Sequence, residues 1–189
     1  MRENEKRDTK NQLALTLKEL ISHTPMEKIT VKDITDKSGV IRPTFYNHFT
    51  DKYQVLEYII RRDLLLPIKP LLVNEMITEG LTLLFSNMLK DRNFYEKAIK
   101  IEGQNSFESI ARQEVTKLLV EVITEKKGGG HYKYYWLSRE TIAEYYAQSM
   151  CYVAIAWIKR NFMISPKELA EIYEYITKNS MMDILEEFV

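Results

Sequence analysis

Apolar residues recur along most of this chain at spacings of three and four, the pattern of helices that bury one face. Leu13, Leu17, Leu20 and Ile21 predict an amphipathic helix over roughly residues 5–22. His23-Thr24-Pro25 predicts its end, because proline disfavours helix at the residue before it. Thr30 and Asp33 have the spacing of a capping box and open a second helix over 31–37. Gly39 supplies a turn in which a left-handed backbone costs little. A third helix is expected over 42–49, with Pro43 tolerated in its first turn. Thr50 or Asp51 caps a fourth, which runs to about Leu66 and stops at Pro67.

The pattern then continues in longer units. Residues 76–90 carry Ile77, Leu81, Leu84, Phe85 and Met88 on one face, and a short helix follows over 94–101. Asn105 with Glu108 can cap a helix to about residue 126, through Val115, Leu118, Leu119 and Val122. Gly128-Gly129-Gly130 interrupts as a flexible connection. Ser138 opens a helix to about residue 160, and Ser165-Pro166-Lys167-Glu168 starts the last one. Its stripe holds Leu169, Ile172, Tyr173, Ile176, Ile184 and Leu185. About nine helices and no convincing strand result. The expected fold is all-α: an N-terminal three-helix helix-turn-helix domain over residues 1–52, then a larger helical bundle over 53–189.

Composition agrees, with 45% hydrophobic residues, six Gly and five Pro. No apolar run reaches membrane-span length; residues 150–158 come to about half of it. The charged N-terminus lacks a signal-peptide core. A lone cysteine, Cys151, rules out an intramolecular disulfide. A cytoplasmic protein without membrane contact is expected. Charge is less informative: 27 Lys/Arg balance 27 Asp/Glu, and residues 1–60 hold ten against nine. Any phosphate-binding face must arise by local sorting of Arg2, Lys6, Arg7, Lys10, Lys32, Lys37, Arg42 and Lys52.

Residues 29–52 carry the clearest chemistry. Ile29, Val31, Ile34, Val40, Phe45 and Phe49 would lock two helices across a tight turn. The outer face of the second then offers Arg42, Thr44, Tyr46, Asn47 and His48, groups suited to phosphates and base edges. Lys52 stands at a helix start where backbone N–H groups and a charge can meet a phosphate. The bland alternative makes the aromatics core residues; it holds for Phe45 and Phe49, whereas Tyr46 and His48 are left for the outer face. Other constellations are weak. His23, His48 and His131 are far apart, no zinc-like spacing exists, and Gly128–Gly130 lacks a following Lys-Ser/Thr. His131-Tyr-Lys-Tyr-Tyr-Trp136 could meet a partner but more often packs a loop. No cofactor, metal site or catalytic residue is expected.

The run Thr30-Val31, Ile34, Gly39-Val40, Thr44-Phe45-Tyr46-Asn47-His48-Phe49, Lys52 and Leu56 resembles the DNA-binding domain of the TetR family of transcriptional regulators. The resemblance implies Thr44, Tyr46 and Lys52 on phosphates, Arg42 and Asn47 near base edges, and His48 on the DNA backbone, with Lys32 and Pro43 completing the DNA-binding set. Two residues depart from the family pattern. Ile41 replaces a small polar cap, which forgoes a hydrogen bond worth ~1 kcal/mol. Pro43 removes a backbone N–H.

The resemblance also implies a C-terminal domain that dimerises and holds an effector. Residues 93–107 and 157–169 look like the DhaS-like, dihydroxyacetone-kinase-regulator branch. Ala143, Ala147, Met150, Cys151, Ala154 and Ile158 form a stripe of mostly small residues that permits close helix approach. A homodimer interface through Ala143, Ala147, Cys151, Ala154 and Ile158, with Leu169, Ile172, Tyr173, Ile176 and Ile184, is one reading. The domain's own core is the other, and the need for two DNA-binding heads favours the dimer. A pocket for an unknown small-molecule effector could use Phe85, Met88, Phe94, Tyr95, Gln104, Tyr145, Tyr146, Met150 and Trp157. The function so implied is a ligand-responsive repressor that binds a palindromic operator in double-stranded DNA as a homodimer. The alternative is an activator governed by a protein co-regulator.

Overall fold

Thr30, Asp51, Ser138, Ser165 and Ser180 each stand just ahead of a helix and accept a hydrogen bond from its first turn. Short oxygen-bearing side chains do this because the first N–H groups of a helix have no partner within it. The computed structural model describes residues 2–127 and 133–187. Among them lie α1 (Arg2–His23), a 3-10 turn (Met26–Lys28), α2 (Val31–Ser38), α3 (Arg42–Tyr46), α4 (Lys52–Ile60), a π turn (Arg61–Leu65), α5 (Leu66–Val73) and α6 (Ile77–Lys90). Next come α7 (Arg92–Ala98), α8 (Phe107–Lys127), α9 (Arg139–Lys159), α10 (Pro166–Lys178) and α11 (Met181–Glu186). No strand occurs among the described residues. The all-α expectation therefore holds, in ten helices once α4 and α5 are taken as one rod. Gly128–Gly130, His131 and Tyr132 lie outside the described residues, as do the side chains of residues 2–4.

Three boundaries differ from the sequence reading. Pro67 does not stop the fourth helix: α4 passes through the π turn into α5. Pro67 has no N–H, so the Asp63 carbonyl four residues earlier loses its helical donor. Asn87 Nδ2 of α6 supplies one at 3.1 Å, and the wider π turn accommodates the change. Second, α3 ends at Tyr46, because the N–H groups of Asn47 and His48 donate to the Pro43 and Phe45 carbonyls in a closing turn. Third, the last helix is broken. Asn179 is extended, and a Ser180–Asp183 capping box restarts the chain as α11.

One continuous core runs through the molecule. Leu13, Leu17, Ile34 and Phe45 fill the N-terminal head, while Phe85, Tyr95, Leu118 and Trp157 fill the body. Ile59, Ile60, Leu64 and Leu65 join the two through the α4–α5 rod. Polar contacts add to this joint. Lys18 of α1 donates to Asp63 at 2.9 Å and to Asp91 at 2.5 Å, and Arg62 also grips Asp63. Burial would raise the Asp63 carboxyl, but hydrogen bonds from Arg62 and Lys18 hold it below the usual carboxylate range.

Candidate nucleic-acid interface

The head builds its outer face from the turn outward. Thr30 and Asp33 close a full capping box, with each side chain bonded to the other's backbone N–H, and this fixes the start of α2. Asp33 is held below the ordinary carboxylate range by those Thr30 hydrogen bonds. Gly39 ends α2 at φ 70°, in the left-handed region that glycine enters without a side-chain clash. Gln12 Nε2 of α1 donates to the Ser38 carbonyl at 2.6 Å and ties the turn to the first helix.

From that turn α3 sends Phe45 into the core, where it meets Tyr46 edge-on and packs near Phe49. Ile34 and Ile29 are buried with them, as the helix-turn-helix pattern requires. Arg42, Pro43, Tyr46 and Asn47 are exposed, and Thr44 is half-buried at their edge. Arg42 makes no ion pair among the described residues. Lys32 is exposed on α2 but paired with Asp36 at 2.5 Å, and Lys37 is paired with Glu19 at 2.7 Å. Arg42 is thus the cation on this face that stands without an acidic partner among the described residues.

His48 and Lys52 take positions the sequence did not reveal. His48 is half-buried and lines a cleft of about 490 Å³ between head and body, with Lys10, Phe49, Glu57, Arg61 and Glu114. Burial pushes its imidazole below the ordinary value, and the charges of Lys10 and Lys6 push it further. Lys52 turns its ammonium inward. Nζ donates to the carbonyls of Met26 at 2.6 Å, Ile29 at 2.7 Å and Glu27 at 3.3 Å. In this structure Lys52 is a strut that closes the 3-10 turn onto α4, and burial lowers its pKa there. Those carbonyl partners lie more than twenty residues away in sequence, so spacing alone gave no signal of them.

The body departs further from the sequence reading. Of the proposed pocket residues, Met88 and Met150 line an apolar cavity of about 40 Å³ in the body. Phe85, Phe94, Tyr95 and Trp157 are closed into the core, and Gln104, Tyr145 and Tyr146 lie at the surface. The rest of its lining is Ile60, Leu64 and Leu65 from the connecting rod, Leu84 from α6, Phe107, Ala111 and Val115 from α8, and Cys151, Ala154 and Ile155 from α9. Ordinary helix-core spacing hid them.

Most of the stripe expected at a dimer interface lies inside the single chain. Ala143, Ala147, Cys151, Ala154 and Ile158 of α9, and Leu169 and Tyr173 of α10, are buried within the single chain. The small side chains let α8 approach α9 closely, so the close packing expected between subunits is spent inside one. Ile172 and Ile176 are exposed, and Ile184 is partly so. The outward face of α9 is instead aromatic: Tyr145 and Tyr152 are each 71% exposed. Tyr173 Oη of α10 donates to the Tyr146 carbonyl of α9 at 3.4 Å. Burial pushes the Cys151 thiol up to about 12, so it keeps its proton at neutral pH. Among the described residues no cluster could hold a metal ion, and no helix is long and apolar enough to cross a membrane.

Comparison with known proteins places this geometry. Residues 16–59 match the family described as bacterial regulatory proteins, tetR family, and residues 75–179, more than half of the chain, match a transcriptional regulator C-terminal region. The chain is 25% identical over 177 residues to the HTH-type dhaKLM operon transcriptional activator DhaS of Lactococcus lactis subsp. lactis (strain IL1403), covering 89% of this chain and 86% of that protein. A solved structure of the dihydroxyacetone kinase operon activator DhaS superposes with a TM-score of 0.57 at 24% identity, covering 89% of this chain and 93% of that one. A TetR transcriptional regulator from Streptococcus agalactiae 2603V superposes with a TM-score of 0.58 at 16% identity, covering 91% and 94%. These structural likenesses show a shared fold.

Proposed function

Because the chain belongs to the TetR family of bacterial regulatory proteins, we propose that it regulates transcription as a homodimer whose two heads enter successive major grooves of a palindromic operator. The head comprises residues 1–52 and the body residues 53–189. Arg42 and Asn47 address base edges, Thr44 and Tyr46 hold phosphates, His48 meets the DNA backbone, and Lys32 and Pro43 complete the surface. Lys52 contributes through the backbone at the start of α4, its ammonium being engaged within the head. The observation that carries this reading is the division of α3. Phe45 is its buried residue, and Arg42, Tyr46 and the following Asn47 are exposed.

A second copy of the chain covers the outward faces of Tyr145 and Tyr152 on α9 and of Ile172 and Ile176 on α10. Large apolar side chains left in water on both helices support this. Two heads then meet half-sites one DNA turn apart, about 34–36 Å. The body's cavity is far below the roughly 300 Å³ of an ordinary ligand pocket, so an effector enters only as Met88 and Met150 change rotamer. Leu64 and Leu65 of the π turn line that cavity, and a small apolar effector there shifts the population of head positions. Repression relieved by such an effector is the first reading. Activation through a protein co-regulator is the second, favoured by the cavity's size and by the activator named among the relatives. The protein acts by binding in the cytoplasm, with no cofactor and no catalytic residue assigned.

A gel shift with the DNA upstream of the chain's own reading frame tests the proposal. Sequence-selective binding is expected at low salt. Arg42→Ala should weaken it by roughly tenfold to a hundredfold while leaving the melting temperature unchanged. Binding by the unaltered protein that ignores sequence at every salt concentration would sink the reading.

A further inference from the structure

Ile41 stands immediately before α3 and is 66% exposed. Its backbone is extended and its side chain makes no capping hydrogen bond, whereas Thr30, Asp51, Ser138, Ser165 and Ser180 all do so at their helices. Nor does it pack: neighbouring Val40 lies against the core, and Ile41 does not join it. The residue thus forgoes a cap where a five-residue helix has little other support, and leaves a branched apolar side chain in water. It is flanked by the exposed Arg42 and Pro43 on the surface assigned above to DNA. In a major groove the apolar feature a base pair offers is the thymine C5-methyl group.

We propose that Ile41 is a specificity-determining residue, which reads one thymine by packing its side chain against the C5-methyl in each half-site. The proposal rests on the DNA-binding reading, and its test separates the two. Duplexes are first selected from a random pool by the unaltered protein. Each thymine of a selected site is then replaced in turn by deoxyuridine, which differs only by the missing methyl. One position per half-site should lose about threefold to fivefold in affinity, and about tenfold or more when both half-sites are changed.

In Ile41→Ser, a variant that can cap α3, the same replacements should change affinity by less than about twofold while the melting temperature stays level or rises. Ile41→Ala provides the same comparison without the new hydroxyl. A deoxyuridine penalty that is absent everywhere, or that persists undiminished in both variants, overturns the role of Ile41 while leaving DNA binding intact. A pool that yields no selected sequence overturns the DNA-binding reading, and the role of Ile41 with it.

Discussion

Helix α3 has five residues and commits one of them, Phe45, to the core, whereas α9 has 21 and is apolar on two opposite sides. On α3 the polar and cationic groups point away from the protein, so what they are chemically tells what they are for. On α9 the small residues Ala143, Ala147 and Ala154 face α8, and the large ones, Tyr145 and Tyr152, face out. A helix with one apolar face has found its partner within the chain. One with two has found only the first. The difference lies in what each helix still lacks: α3 lacks a ligand with acceptors and charge, and α9 lacks another apolar surface.

The largest effect that can break this comparison comes from placing a charge on either face of α9. Ala147→Asp buries a carboxylate between α8 and α9 with no partner provided. It should cost about 4 kcal/mol or more, most of the stability of a domain at the lower end of the ordinary range of roughly 5–15 kcal/mol. Tyr152→Asp should leave the helical circular-dichroism signal intact and turn the proposed dimer into a folded monomer by sedimentation, with weakened operator binding. Should Ala147→Asp instead yield a folded monomer, the small-residue stripe would be the subunit interface and the inward assignment would be wrong.

These faces also show what could be read without coordinates. Caps and turns in the head are local: Thr30 with Asp33, Gly39 and Asp51 each act within a few residues, and their spacing displays them. Periodicity on α9 showed that both stripes exist but could not say which one meets α8, because that depends on a partner on another helix. Pro67 follows the same logic. Its helix continues through a π turn in which Asn87, on another helix, bonds the stranded Asp63 carbonyl. The cavity is hidden for a related reason, since the residues lining it have ordinary core spacing.

A middle-sized effect sharpens the contrast within the head itself. Lys52→Met keeps the stem and removes the three N–H donations to Met26, Glu27 and Ile29. The cost should be about 1–3 kcal/mol, read as a lower urea midpoint. Arg42→Ala, on the outward side, should stay within about 0.5 kcal/mol of the unaltered protein. The opposite pattern for Lys52→Met, with stability preserved and the salt dependence of DNA binding reduced by about one unit of slope, would show the ammonium swinging out to a phosphate.

The smallest effect concerns His48, which sits between the two situations because it is half-buried and yet assigned to the DNA backbone. In the folded protein its pKa lies below the unfolded value, first through burial and then through Lys10 and Lys6. The unfolded chain therefore takes up the proton more readily. The stability this group supports is present above about pH 6.5 and is lost as pH falls from there through the lowered folded value. A phosphate beside His48 acts in the other direction. Its negative charge opposes that of Lys10 and Lys6, so binding raises the pKa and draws in a proton. Operator affinity should then rise over the same window in which stability falls, at constant ionic strength. In His48→Gln both slopes should flatten. If stability follows the expected slope while operator affinity is level from pH 8 to about 5.5, His48 belongs to the cleft between head and body and not to the DNA surface.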